Sequence, residues 1–301
     1  MRKVLILTDK KGWHFRQLKK AFLKKKFIVE DCNLSDLSIK ITNQEISLNY
    51  IQKKITNYSD IIVRYIPGGT LEEIITSLNI LKIFYANKIN VINTAEQIEC
   101  TVDKSMTSLI LRNNNILTPN SYVIRNRLDA IKFIKNTINH TTLIYKPLFG
   151  SQGKDIVKIS DISDFHKIKN DSNIYYFQDF LSTNPSHDYR VLVLKHGNTY
   201  KTYSMKRYGK NYINNFSQGA VCKLEKLNPQ LINIAIKSAK ALNIHFCGVD
   251  IIEFNNQFFV IEVNSIPAWK GLQSLIDDNI ADQIVKIFLN QGDIKTSLSV
   301  I

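Results

Sequence analysis

Along the chain, short apolar runs alternate with segments in which apolar residues recur every three or four positions. Val4-Leu5-Ile6-Leu7, Ile61-Ile62-Val63 and Val91-Ile92 read as buried strands, and a lysine-rich amphipathic stretch from Phe15 to Lys26 separates the first two. This alternation predicts a parallel sheet with helices packed on it. Ile66-Pro67-Gly68-Gly69 marks a turn, and Thr70 stands three residues before Glu73, the spacing of a capping box. Leu71, Ile74, Ile75 and Leu78 then recur at helical period, so a helix opens just after the turn.

From Thr101 the pattern changes. A short helix is expected with Met106, Leu109 and Ile110 on its apolar face, followed by a Thr118-Pro119 turn and the run Tyr122-Val123-Ile124. Strands are expected at Thr142 to Lys146, Ile174 to Gln178, Tyr189 to Lys195 and Thr199 to Met205, segments rich in Tyr, Val and Ile. Asn228-Pro229 opens a helix through Leu231, Ile234, Ala235 and Leu242. A hairpin and a last helix follow, and the tail after Asn290 reads as loosely held. No repeat or low-complexity segment breaks the chain, and the pattern alone puts a boundary near residue 97.

Composition narrows the class. The 301 residues are enough for two compact units, with 44% hydrophobic and 22% charged residues, which excludes wholesale disorder. No stretch approaches the ~20 apolar residues of a membrane span. Met1-Arg2-Lys3 followed by Val4 to Leu7 is too short for a signal peptide and reads as a first strand. Cys32, Cys100, Cys222 and Cys247 have no paired spacing, so neither a zinc motif nor a disulfide framework is expected, and a cytoplasmic setting is the simplest. Forty Lys plus Arg against 26 Asp plus Glu leave a net charge of +14, which points to an acidic partner. That charge also brings in a rival from another class, a basic nucleic-acid-binding protein. Clusters such as Lys24-Lys25-Lys26 are better read as a solvated helix face, no nucleic-acid module is recognisable, and compositional bias toward Lys, Asn and Ile explains the charge as well. None of the six histidines falls in a metal-binding or catalytic pattern.

The sharpest chemical signal is the pair of apolar strands Gly248-Val249-Asp250-Ile251-Ile252 and Phe258 to Asn264, around an Asn255-Asn256 turn. Glu262 and Asn264, two apart, share a face, and an apolar strand has no structural use for an ionised Glu. With Asp250 they form an all-oxygen donor set suited to Mg²⁺. Asp250 and Glu262 are an even number apart, so a plain two-residue turn would put them on opposite faces. An odd-length loop or a bulge is therefore required. A second signal is Lys146-Pro147-Leu148-Phe149-Gly150-Ser151-Gln152-Gly153, where a strand ending in Lys runs into a glycine loop able to approach phosphates. It is not a Walker loop, because the Lys precedes the glycines. Third, the extended segment Tyr175 to Leu181 and a polar linker lead into His187-Asp188-Tyr189-Arg190. Taken singly, each also fits an ordinary hairpin, a Gly-Ser loop and a surface cation.

Their order resembles the ATP-grasp superfamily, and within it the RimK-like carboxylate–amine ligases, over nearly the whole chain. The resemblance implies an α/β (α+β) fold: an N-terminal Rossmann-like pre-ATP-grasp domain (1–97), then an ATP-grasp domain (98–301) whose central lobe (98–181) and C-terminal lobe (182–301) clasp ATP. It implies that Asp250, Glu262 and Asn264 hold two Mg²⁺ (or Mn²⁺) ions. By the same resemblance Lys104, Lys146, Ser151 and Gly153 contact phosphates, Gln178, Asp179, Phe180 and Leu181 bind adenine, Asp188 the ribose, and Asn215 the nucleotide. Ile213-Asn214-Asn215 stands where the family has Arg-Ser-Asn, and Ala220 follows Gly219 where relatives often have a second glycine. The segments Val63 to Leu71, Thr101 to Ser108 and Asn264 to Leu272 look like the branch that adds glutamate to tetrahydromethanopterin. That puts Arg64 and Lys270 near the acceptor, while Arg190, at the start of a strand, is the further candidate for a substrate contact.

The resemblance implies a reaction in which ATP converts a carboxylate to an acyl phosphate that an amino acid, L-glutamate, then displaces. Lys146 and Arg207 would offset charge in the transition state. The implied partners are ATP, glutamate and an acidic acceptor such as a pterin, with no nucleic acid and no membrane; a homo-oligomer is left open. A protein or peptide tail, a carrier protein or a deazaflavin cofactor is the alternative acceptor.

Overall fold

The computed structural model describes residues 1–50, 53–55, 57–150, 155–170, 172–209, 212, 214, 216, 219–224 and 228–290. In chain order, β1 (Lys3–Leu7), α1 (Trp13–Lys24) and β2 (Ile28–Cys32) are followed by β3 (Leu37–Ile41), β4 (Ile46–Tyr50) and β5 (Lys53–Lys54). Next come β6 (Asp60–Val63), α2 (Leu71–Ala86), β7 (Asn90–Ile92), α3 (Ala95–Val102) and α4 (Lys104–Asn113). The middle of the chain holds β8 (Ser121–Arg125), α5 (Arg127–Thr137), β9 (Leu143–Lys146), β10 (Val157–Ile159), α6 (Ile162–His166) and β11 (Ile174–Asp179). The last part contains β12 (His187–His196), β13 (Thr199–Tyr208), β14 (Val221–Leu224), α7 (Pro229–Ala241), β15 (Phe246–Phe254), β16 (Gln257–Asn264), α8 (Lys270–Gln273) and α9 (Ile280–Asn290).

The expected parallel sheet is present, with strand order β2-β1-β6-β7. Its two faces follow sequence parity. Leu5, Leu7, Ile61 and Val63 pack with Leu81 and Phe84 of α2, whereas Val4, Ile6, Ile62 and Ile92 pack with α1. Thr70 and Glu73 form the full capping box that starts α2. The interval between β2 and β6 was unread in the sequence; it folds as the antiparallel order β3-β4-β5.

Two further sheets flank a cleft. One has the order β10-β9-β11-β8 and packs on α5 and α6; the other, β14-β13-β12-β15-β16, packs on α7. Residue 97, the expected boundary, lies inside α3. The parallel sheet does not end in a detachable core, because Val4, Ile6 and α1 share one hydrophobic cluster with Leu192, Phe246, Trp269 and α9. Asn93 fastens this junction: its buried Nδ2 donates to the carbonyls of Phe246 and Ser265, both at 2.6 Å, and its Oδ1 accepts from the N–H groups of His245 and Phe246.

One expectation holds only in part on α4, where Ile110 packs against the core. Met106 and Leu109 are exposed, and the helix buries Thr107 and Leu111 instead. The helix meets β16 and α7 through the Leu111 side, so tertiary packing, with Leu111 in the core of Val249 and Val260, overrides the stripe chosen by spacing. The tail beyond residue 290 lies outside the described residues.

Candidate active site

The β15–β16 hairpin meets the parity condition with a bulge, around a plain two-residue turn. Asn255 and Asn256 have φ of 49° and 60°, the left-handed conformation that a two-residue hairpin turn of matching twist demands and Asn tolerates. From that turn the register runs Phe254–Gln257 to Ile251–Val260, then shifts, so that Asp250 faces Glu262 and Gly248 faces Asn264. Ile261 is the extra residue of the bulge. Asp250, Glu262 and Asn264 therefore share one face of the sheet.

On that face lies a buried ion network. Asp188 and Arg190 of β12 point the same way as Arg207 of β13. Arg207 donates from Nε and Nη2 to the two oxygens of Asp188, each at 2.7 Å, and its Nη2 lies 3.1 Å from Asp250 Oδ1. Arg190 donates to both oxygens of Asp250, with Nη2 at 2.6 Å from Oδ2. Burial opposes the charge on Asp250, but Arg190 and Arg207 outweigh it and hold the carboxyl below its ordinary range. Gly248 makes this reach possible: a Cβ there would meet Arg190 Cδ and Nη1 at 3.1 Å.

A cleft of about 440 Å³ opens between the two sheets. Of the residues expected at the site, Lys104, Lys146, Gln178, Asp179, Phe180, Leu181, Asp188, Asp250 and Glu262 line it. Lys146 Nζ donates to Gln178 Oε1 at 2.6 Å, and burial lowers its pKa to about 8 despite the nearby Glu262 charge. Lys104 Nζ donates to the carbonyls of Gly150 and Leu148, at 2.9 and 3.3 Å, and so ties the start of the glycine loop. The N–H groups of Asp179 and Phe180 are taken by the carbonyls of Asn120 and Thr142. Ser151, Gly153 and Asn215 lie outside the described residues.

Other expected residues stand elsewhere. Arg190 and Arg207 do not line the cleft; their donors are spent on Asp188 and Asp250. Arg64 and Lys270 lie away from it, beside Trp269 and His14. Sequence reasoning missed Lys158, which lines the cleft and sits 4.7 Å from the Phe180 ring. A lone Lys in a three-residue strand carries no signal; its facing partner Ile144, also at the cleft, is visible only once β9 and β10 pair. Asn214 was missed too, although its Oδ1 accepts from Ser186 Oγ and the Gly209 N–H.

The donor set fits a hard divalent cation. The Glu262 carboxylate makes no hydrogen bond or ion pair among the described residues, and Asn264 Nδ2 is buried without a partner. No cluster of three or more His, Cys, Asp or Glu exists among the described residues, so the set depends on the Asn264 amide as well as on the two acids. Asp250 would share its oxygens with Arg190 and Arg207.

A model of the RimK-like ATP-grasp domain matches residues 101–288. The tetrahydromethanopterin:alpha-L-glutamate ligase of Methanococcus maripaludis is 26% identical over 294 residues, 95% of this chain and 97% of that one. The coenzyme gamma-F420-2:alpha-L-glutamate ligase of the same organism is 29% identical over 203 residues, 65% of this chain and 70% of that one. Among solved structures, the ATP-grasp ligase PsnB complexed with a precursor variant, Mg and ADP superposes with a TM-score of 0.69 at 13% identity, covering 97% of this chain and 99% of that one. The match to PsnB speaks for the fold alone. Among the described residues, no helix is long and apolar enough to cross a membrane.

Proposed function

The chain belongs to the RimK-like ATP-grasp family and is an ATP-dependent ligase, and from that premise we propose that it joins L-glutamate to an acidic acceptor, tetrahydromethanopterin. The observation that carries the site assignment is the convergence of Lys104, Lys146, Asp250 and Glu262 on one cleft, with Gln178 to Leu181 along its edge. The phosphates fall to the lysines, the base to the segment around Leu181. The ribose falls to Asp188, whose carboxylate keeps lone pairs beyond those that Arg207 uses.

An oxygen of the acceptor carboxylate attacks the γ-phosphorus of ATP, the bond to the β,γ-bridging oxygen breaks, and ADP leaves. The amine of glutamate then attacks the acyl carbon, the carbon–oxygen bond to phosphate breaks, and an amide forms with loss of a proton. No protein nucleophile is needed. Lys146 stabilises the charge on the transferring phosphoryl group, and its hydrogen bond to Gln178 fixes its position. Arg207 and Arg190 act at one remove, by orienting Asp188 and Asp250. A divalent cation, two in our reading, held by Asp250, Glu262 and Asn264 would neutralise phosphate oxygens.

The choice of acceptor rests on the likeness of three segments, 63–71, 101–108 and 264–272, to the tetrahydromethanopterin branch, and on the whole-length match to one such ligase. The match to the deazaflavin-coenzyme ligase keeps that acceptor as the second reading. The cysteines, all unpaired, suit a cytoplasmic setting. The test is ADP release with MgATP and glutamate against tetrahydromethanopterin, the deazaflavin coenzyme and acidic peptides, with mass spectrometry of products. A glutamate-mass gain on the pterin is expected; turnover only with another acceptor overturns the pterin assignment.

A further inference from the structure

In an open parallel sheet, ligands bind at the carboxyl ends of the strands where the order reverses. Here β1 has β2 on one side and β6 on the other, so the reversal lies between β1 and β6. Arg64 is the first residue beyond the carboxyl end of β6, and its N–H donates to the Leu7 carbonyl at the end of β1. The start of α1 comes to the same place, where Trp13 and His14 meet Trp269; its N-cap, Gly12, supplies no side-chain cap and its first turn carries no acid. A helix start left in this state favours an anion.

Donors gathered at these strand ends have nothing to donate to among the described residues. Arg64 Nε and Nη1 are buried without a hydrogen-bond partner among the described residues, and so is Trp269 Nε1. The guanidinium lies over the Trp269 ring, 4.8 Å from its centroid. His14 does not neutralise it. Its Nε2 accepts the Trp269 backbone N–H at 3.1 Å, and burial, assisted by Arg64 and Lys270, pushes its pKa down to about 3. No carboxylate pairs with Arg64 or Lys270 among the described residues. A half-buried guanidinium with two buried donors left unpaired is costly, and an anion supplied by a ligand removes that cost.

We propose that Arg64, Trp269 and the start of α1 form a subsite for a substrate carboxylate. The proposal rests on the ligase reading, which requires substrates rich in carboxylates. Trp269 packs on Phe246, four residues before Asp250 on the same strand, roughly 13 Å along it at ~3.3 Å per residue. The subsite thus holds a remote carboxylate while the reacting group lies at the phosphates. Two sources carry that chemistry, the incoming glutamate and the acidic tail of the acceptor.

The protein has two tryptophans, so its indole N–H signals in a ¹H–¹⁵N spectrum can be assigned with Trp13→Phe. Titration with L-glutamate, or with tetrahydromethanopterin, is expected to move the Trp269 indole signal downfield, while sodium chloride of equal ionic strength leaves it in place. Movement with glutamate assigns the subsite to the incoming amino acid, and movement with the pterin alone assigns it to the acceptor. An unmoved signal with both, with and without MgATP, overturns the subsite. Kinetically, Arg64→Gln should raise the KM of that one substrate tenfold or more and change the KM of ATP less than twofold. A fall in kcat with every KM unchanged counts against the proposal. Binding without any ADP release by the wild-type protein would instead remove the ligase reading and leave the subsite standing.

Discussion

Asp250 and Glu262 face each other directly across the β15–β16 hairpin although their sequence parity and the two-residue turn at Asn255-Asn256 would set them on opposite faces. The bulge at Ile261 resolves the conflict. It turns Glu262 into the same cleft as Lys104 and Lys146, with its carboxylate unpaired among the described residues.

Glu262→Ala should therefore reduce ADP formation at least a hundredfold and leave the fold intact, since no hydrogen bond or ion pair of the described residues depends on this side chain. Mn²⁺ binding followed by electron paramagnetic resonance should weaken in parallel. Full ADP production by the variant would sink the cation assignment.

Lys146 carries a pH dependence. Its folded pKa, about 8, lies below the unfolded value of about 10.4, so between these the unfolded chain binds more protons. The stability that neutral Lys146 permits is fully present above the unfolded pKa and is lost as pH falls through about 8. Bound phosphates favour the ammonium, so ATP binding near pH 8 should take up a proton, and the KM of ATP should rise as pH climbs past 8. Calorimetry in two buffers of different ionisation enthalpy measures the proton, and Lys146→Met should abolish its uptake.

Asn93→Ala removes four hydrogen bonds at the junction of the parallel sheet with β15 and leaves the buried Phe246 and Ser265 carbonyls without their amide donor. We expect a loss of about 3 kcal/mol in urea unfolding, against under 1 kcal/mol for a solvated Asn such as Asn87. An equal loss at both positions would deny Asn93 its role.

The turn offers a gain. Asn256 has φ of 60°, so Asn256→Gly relieves strain and should be neutral or stabilise by up to about 0.5 kcal/mol, whereas Asn256→Val should destabilise by at least 1 kcal/mol. Thermal melts of the two variants, in opposite directions, check the turn type that fixes the register of Glu262.

Local and near-local features were legible without a structure. Strands β1, β6 and β7 of the parallel sheet follow from unbroken apolar runs, the start of α2 from Thr70 and Glu73, the start of α7 from Asn228-Pro229, and the need for an odd-length loop or a bulge from the parity of Asp250 and Glu262; β2, with Glu30 and Asp31, carries no such run. Each depends on residues within about a dozen positions of one another, whose geometry the backbone fixes. The apolar face of α4 was misread because spacing offers two stripes, and only packing against β16 and α7 selects Leu111 over Met106 and Leu109.

The pairing of charges belonged to the tertiary structure alone. The sequence reads Arg190 as a substrate contact and Arg207 as a catalytic cation, yet pairing of β12 with β13 and β15 brings Asp188 and Asp250 within reach and uses their donors. Lys158 enters the cleft because β10 pairs with β9, and Trp269 meets Arg64 across some two hundred residues of chain because α1, β6 and β15 share one core. Sequence periodicity decides which side of its own element a residue faces; what stands on that side is decided by how separate elements pack, and no local pattern encodes it.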